Sequence, residues 1–241
     1  PLELHGVVAL KDGTVVTVAL GEGDEPKLVV NDLLPHLGAE QSKKPLSDGI
    51  TGEQLNLLVG SEPLAGEDSD RVKLQVMKLL YEKYGFTEAD FISAELEAVP
   101  AVKATDIGLD RSMIGAYGQD DRICAYTAMM AEMQAKTPEY TTVTALVDKE
   151  EIGSEGNTGM NSDFLKHYLE RLAQMQGADV KDLCEHALCL SSDVNAAYDP
   201  TFADVYEANN SCYINKGCVL TKYTGARGKS GSNDASAETM A

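Results

Sequence analysis

The chain is short of positive charge: 20 Lys and Arg stand against 39 Asp and Glu, a formal charge of −19 at pH 7. That balance disfavours any surface built to hold phosphates, and with it nucleic-acid partners. No apolar run approaches the roughly 18 residues of a membrane-crossing helix, so a membrane partner is not expected either. The cysteines Cys124, Cys184, Cys189, Cys212 and Cys218 are odd in number and lack the paired spacing of a zinc finger. Reduced thiols in a cytoplasmic protein are the simplest expectation, with Cys212 and Cys218 left unbridged. Pro1 opens the sequence in place of a Met, so the lack of a leader pattern carries little weight. Internal repeats and low-complexity tracts are absent.

What is present centres on acidic residues at the ends of apolar runs. Thr141–Val147 is β-branched and apolar and predicts a buried strand, followed at once by Asp148, Lys149, Glu150, Glu151 and a glycine turn at Gly153. Adjacent carboxylates repel, so Glu150-Glu151 is rarely placed there for stability. Taken alone the pair fits a solvated acidic loop; it also fits one carboxylate on a metal and the other free as a general base. Asp120 precedes the helical run Ile123–Met130, where the helix dipole favours an anion, and an ordinary N-cap is the competing reading. His186–Ser192 predicts a second short strand, with Asp193 at its end as turn former or ligand. Carboxylates at strand ends and helix starts of an α/β segment converge readily, because ligands bind outside the carboxyl ends of such strands.

Seven blocks, in order, carry a family resemblance: Pro1–Gly6, Asp32–Leu37, Ser93–Leu96, Gly115–Arg122, Asp148–Ser154, Ser192–Asn195 and Lys222–Gly225. On these the chain resembles the aspartyl aminopeptidase family of two-metal exopeptidases, in its bacterial aminopeptidase 1 branch. The resemblance implies that Asp120 bridges two metals, that Glu151 and Asp193 are terminal ligands of one metal each, and that Glu150 is the general base. The ions implied are Zn²⁺, two per complete subunit, with Mn²⁺ or Co²⁺ possible, since hard oxygen ligands alone suit several divalent ions. The substrates implied are peptides, and the assembly a tetrahedral homododecamer. His36 matches a histidine that reaches a neighbouring subunit's active site in the family; a loop histidine held by backbone hydrogen bonds is the alternative. Arg227 or Lys229 lies where aspartyl specialists meet the substrate carboxylate, and a surface base is the alternative there.

The sequence also departs from the family. Two histidine ligands complete the family's sites, one in an N-terminal His-x-Asp block and one near the C-terminus, and neither block is matched. Of the four histidines, His167 falls on a predicted helix and His186 on a predicted strand. The expectation is a central fragment of a larger enzyme that binds metal poorly and hydrolyses little by itself. An inactive truncated fragment serving only as an oligomerisation or scaffold module is the alternative.

The fold class expected is α/β. The resemblance implies that residues 1–100 are a partial, β-rich dimerisation domain and residues 101–241 a C-terminally truncated metallopeptidase catalytic domain, a mixed sheet with helices on both faces. Gly6–Leu10 and Thr14–Val18 flank Lys11-Asp12-Gly13, a hairpin signature, and Leu55–Val59 gives another apolar run. Val72, Val76, Leu79 and Leu80 share a helix face that Gly85 terminates. A helix over 163–176 carries a stripe of Leu165, Tyr168, Leu169, Leu172 and Met175. Two other patterns are decoys. Gly225–Ser230 ends like a phosphate loop but has Tyr223 where the first glycine belongs. Gly153, Gly156 and Gly159 are too loose for a dinucleotide fingerprint.

Overall fold

The computed structural model describes residues 1–221, in two units, Pro1–Tyr117 and Gly118 onward. Helices and sheets both occur, which fits an α/β fold, and every strand among the described residues lies between Leu2 and Gly115. The first unit is built on the predicted hairpin. β1 (Leu2–Ala9) and β2 (Val15–Leu20) pair antiparallel, with Val8 opposite Val16 and Leu4 opposite Leu20. The turn closes as Leu10 donates to Thr14 O at 2.8 Å, and Asp12 accepts from the Thr14 N–H. The apolar run near Leu55 becomes β4 (Leu57–Leu58), paired with β3 (Val29–Val30).

α1 (Arg71–Tyr84) ends where expected: Gly85 takes φ 77° and donates to Tyr81 O. Leu80 packs on the core, whereas Leu79 stays 54% exposed, so the expected apolar face is only partly covered. β5 (Glu95–Pro100) returns to pair antiparallel with the other edge of β1. Gly6 is what lets them meet, since a Cβ there would lie 1.9 Å from Glu95 O. The core comprises Val8, Val18 and Phe86, ringed by Leu10, Val16, Leu20, Tyr84, Ala94 and Leu96. Tyr84 stacks on Phe86 and donates its hydroxyl to Ala19 O at 2.5 Å, fixing the helix end to β2. β6 (Thr105–Ile107) and β7 (Met113–Gly115) close the unit as a short hairpin.

Two carboxylates tie this unit together in a pH-dependent way. Glu25 meets the Lys83 ammonium at 2.7 Å and accepts from the Gly21 N–H; both hold its carboxyl below the ordinary 4.5. Asp90 accepts from the Thr87 N–H and hydroxyl, which holds it below 3.8. A lowered folded-state pKa means stabilisation that is full above the unfolded value and lost as pH falls through the folded one. Acid titration followed by far-UV circular dichroism should therefore show a loss of stability below about pH 4.5 that Glu25→Gln with Asp90→Asn flattens. An unchanged acid limb in the double variant would remove these groups as the cause.

The second unit contains α2 (Gln119–Gln134), α3 (Phe164–Met175) and α4 (Val180–His186). The helix expected over 163–176 is α3 with its two caps. Leu165, Leu169 and Leu172 are half-buried, while Tyr168 and Met175 are exposed. His167 is an exposed residue of α3. Both expected strands are absent. Residues 141–147 are irregular, with Val143, Leu146 and Val147 exposed, and so are 187–192, with Leu188 and Leu190 exposed. A strand exists only through a ladder, and among the described residues nothing pairs with either run. His186 sits at the end of α4 instead, its ring bonded to Asp182 O at 2.8 Å. All five cysteines are free, Cys212 and Cys218 included. Among the described residues no helix is long and apolar enough to cross a membrane.

Candidate metal centre

α2 is entered through Gly118, whose φ of 76° turns the chain into the helix. Asp120 and Asp121 follow with non-helical backbone angles and a cis peptide between them, and the regular helix begins after them. This entrance places two carboxylates at a helix start, where the dipole favours negative charge, with no side-chain capping bond. Asp193 joins them from the irregular segment after α4. The three carboxylates present oxygens all within 4.8 Å of one another. Asp193 accepts from the Val194 N–H at 2.7 Å.

Asp121 is half-buried, and its Oδ1 is buried with no hydrogen-bond partner. A buried carboxylate oxygen left without a partner costs about 1–3 kcal/mol or more. Three acidic groups this close also repel one another. A divalent cation relieves both costs, and an all-oxygen donor set suits a hard or borderline one. The residues thus fit a metal ion. The Cys124 thiol is half-buried beside them. Burial pushes its pKa up, the Asp121 carboxylate adds to the rise, and the Ser192 hydroxyl opposes it. Cys124 therefore faces the acidic cluster as a neutral thiol.

Glu150 and Glu151 stand on a 3-10 turn, Glu150–Ile152, and both are exposed. Lys149 (φ 68°) and Gly153 (φ 103°) bend the chain on either side. The turn belongs to a folded-back loop. Asp148 donates to Thr158 O at 3.1 Å and bridges Gly159, while Ser154 donates to Lys149 O at 2.7 Å. Asn161 Nδ2 donates to Gly153 O at 3.1 Å. The Asp148 carboxyl is held below its ordinary value by the Lys149 N–H first, then by the Lys149 ammonium, with Thr158 adding to the effect.

Of the residues singled out from sequence, then, the structure brings Asp120 and Asp193 together. Their third partner in the cluster is Asp121, and Glu151 does not join that group. Asp121 was missed, although a second acid directly after Asp120 at a helix start was a visible signal. His36 lies on an exposed turn of the first unit, Pro35–Leu37, closed by the Leu37 N–H on Leu34 O. Arg227, Lys229 and the Lys222–Gly225 block lie outside the described residues. Further along, Asn195 donates to the Thr221 hydroxyl at 2.8 Å, and Tyr198 packs at a tilt against Tyr206 and Tyr213. An apolar groove of about 250 Å³ lined by Met160, Leu165, Leu169, Val180 and Cys184 lies on α3 and α4, and none of the acidic candidates lines it.

Comparison with known proteins gives this geometry a context. The model of the aminopeptidase I zinc metalloprotease family (M18) matches residues 1–241. A "Probable M18 family aminopeptidase 1" of Clostridium acetobutylicum is 50% identical over 100% of this chain and 53% of its own length. Its counterpart in Thermotoga maritima is 46% identical, over 100% and 54%. The chain spans about half the length of the curated relatives it matches. The crystal structure of the T. maritima M18 aminopeptidase superposes with a TM-score of 0.91 at 46% identity, covering 100% of this chain and 54% of that one. That of C. acetobutylicum aminopeptidase I gives 0.88 at 51% identity, covering 100% and 53%. The S. cerevisiae mApe1 dodecamer shares the fold, with a TM-score of 0.63 at 23% identity over 90% of this chain and 49% of that one.

Proposed function

The chain belongs to the aminopeptidase I zinc metalloprotease family (M18), and on that premise we propose that it forms part of a metal-dependent aminopeptidase that removes N-terminal residues from peptides. The observation that carries this reading is the convergence of Asp120, Asp121 and Asp193 around a buried, unpartnered carboxylate oxygen. We assign Asp120, Asp193 and Glu151 as the residues of this chain that would hold the Zn²⁺ ions. Bound there, the ions supply Lewis-acid polarisation of the scissile carbonyl and lower the pKa of a water molecule. The remaining work falls to side chains. Glu150 accepts the proton of the attacking water and passes it to the leaving amine. Asp121 faces the site from the helix entrance, with Cys124 as a neutral neighbour. Acidic side chains around the entrance favour the cationic amino terminus of a peptide over anionic ligands.

The family's two histidine ligands have no match in these residues, so the sites proposed here are completed by histidines of the whole protein. The dodecameric yeast relative supports self-association, and His36 is proposed to reach a neighbouring copy. Free thiols throughout support a reducing, cytoplasmic setting. Arg227 or Lys229 is proposed to favour acidic N-terminal residues. The second reading, an oligomerisation module without activity, draws on the exposed apolar residues Leu33, Leu34, Leu37 and Leu46.

A panel of aminoacyl chromogenic substrates separates the two, assayed on the full-length protein before and after chelation and with Zn²⁺, Mn²⁺ or Co²⁺ restored. The expected result is turnover that disappears on chelation and returns with metal, fastest on aspartyl and glutamyl substrates. Equal leucyl and aspartyl rates would remove the roles of Arg227 and Lys229. No turnover with any metal would leave the module reading.

A further inference from the structure

One side chain joins α2 to the segment that leads into the Glu150 turn. Glu132, near the end of α2, accepts the Thr142 hydroxyl on Oε1 at 2.5 Å and the Thr144 hydroxyl on Oε2 at 3.2 Å. Both carboxylate oxygens are thus taken by residues two apart. Two such residues reach one group only when the chain between them is extended, because side chains alternate sides with period 2. A slip of one residue would turn both hydroxyls away and present Val143 to the carboxylate. The contact therefore sets register in a stretch that has no ladder to set it. Thr141 points elsewhere: its hydroxyl accepts from Gln176 Nε2 at 3.4 Å, at the C-cap of α3.

The lengths on either side of this contact are comparable. Along the regular part of α2, Glu132 lies about 15 Å from Arg122, the residue after Asp121, at 1.5 Å per residue. An extended chain from Thr144 to Asp148, just before the bend at Lys149, spans about 13 Å. We propose that Glu132 is a positioning residue: by holding Thr142 and Thr144 at the far end of α2 it fixes the reach at which the following segment delivers Glu150 and Glu151 to the level of Asp120 and Asp121. This rests on the assignment of those acids to the metal centre. A loose segment would still fold onto the protein, but its terminal turn would arrive displaced. Displacements near 1 Å at reacting groups cost about 10²-fold in rate.

The test uses the full-length, Zn²⁺-loaded protein with Glu132→Ala, Glu132→Gln, the near-isosteric pair Thr142→Val/Thr144→Val, and the combined variant, beside Glu150→Gln. Zn²⁺ affinity is read by competition with a chromogenic chelator, and kcat and KM are read separately. Glu132→Ala and the threonine pair should each lower both Zn²⁺ affinity and kcat by about 10- to 100-fold, as loss of supporting contacts does at metal sites. KM should stay within about twofold, and the combined variant should be no worse than either parent, because one interaction is removed either way. Glu132→Gln retains one acceptor oxygen and should recover most of the loss. Additive losses overturn the proposal, as do unchanged kcat and Zn²⁺ affinity in variants that merely melt earlier. If Glu132→Ala does not fold, the threonine pair decides, since both hydroxyls belong to residues that are not fully buried. If Glu150→Gln is inactive while the anchor variants lose nothing, the anchor falls and the base assignment stands. If Glu150→Gln turns over normally while the anchor variants still lose Zn²⁺, the reverse holds.

Discussion

Glu150→Gln in the full-length, Zn²⁺-loaded protein should lower kcat by about 10²- to 10⁴-fold, the range supplied by a positioned general base. Zn²⁺ binding should persist. The argument begins with the turn. Glu150 and Glu151 are neighbours on a 3-10 turn, where successive side chains point about 120° apart. Two carboxylates so arranged do not face the same ion together. If Glu151 turns toward a metal, Glu150 is left with an uncommitted carboxylate beside it, which is what a proton acceptor requires. The amide of Gln keeps the size and polarity of Glu but cannot take up a proton at neutral pH. Glu151→Gln should behave differently, losing Zn²⁺ affinity before it loses intrinsic turnover. Should the two variants exchange these phenotypes, the roles are reversed. Should Glu150→Gln keep wild-type kcat, proton transfer does not pass through this turn.

How far the sequence announced these features depends on whether the deciding interactions are local. The β1–β2 hairpin was legible because Lys11-Asp12-Gly13 carries its own turn chemistry, and Gly85 closes α1 through its own left-handed backbone. Asp120 was placed at a helix entrance for the same reason. Thr141–Val147 and His186–Ser192 were misread because β-branched, apolar composition reports a preference for burial between strands, and no partner for either is present among the described residues. For His186 a local signal had been available: Asp179 accepts from the Lys181 N–H and caps α4, so the chain is helical up to His186. Asp121 illustrates a subtler limit. Its role depends on Asp193, far along the chain, and a pairwise approach of that kind leaves no periodic trace. The Glu132 contact with Thr142 and Thr144 is invisible for the same reason, although it organises the segment between two acidic motifs that were each readable.

Gly159→Ala should lower kcat by about 10²-fold through displacement of the Glu150 turn. Gly159 is buried, and a Cβ there would lie 2.1 Å from Ser154 O, 2.5 Å from Ser154 C and 2.7 Å from Glu155 O. All three are backbone atoms, so no side chain can swing aside. The backbone must move, at a cost of about 1–3 kcal/mol or more. What moves is the closure of the loop: Gly159 bridges Asp148, and Asp148 donates to Thr158 O. These contacts bracket Glu150 and Glu151, so opening them releases both carboxylates at once. Zn²⁺ affinity should fall together with kcat, which separates this variant from Glu150→Gln. Gly156→Ala is the control. It lies in the same loop at φ 84°, with nothing within 4 Å of its would-be Cβ. Its cost is the left-handed backbone alone, about 1–2 kcal/mol, with the Asp148–Gly159 closure intact. Gly156→Ala should therefore melt earlier yet retain Zn²⁺ affinity and turnover at permissive temperature. If the two variants lose activity equally, general loop strain governs, and the close packing of Gly159 against Ser154 is not what holds the acidic turn in place.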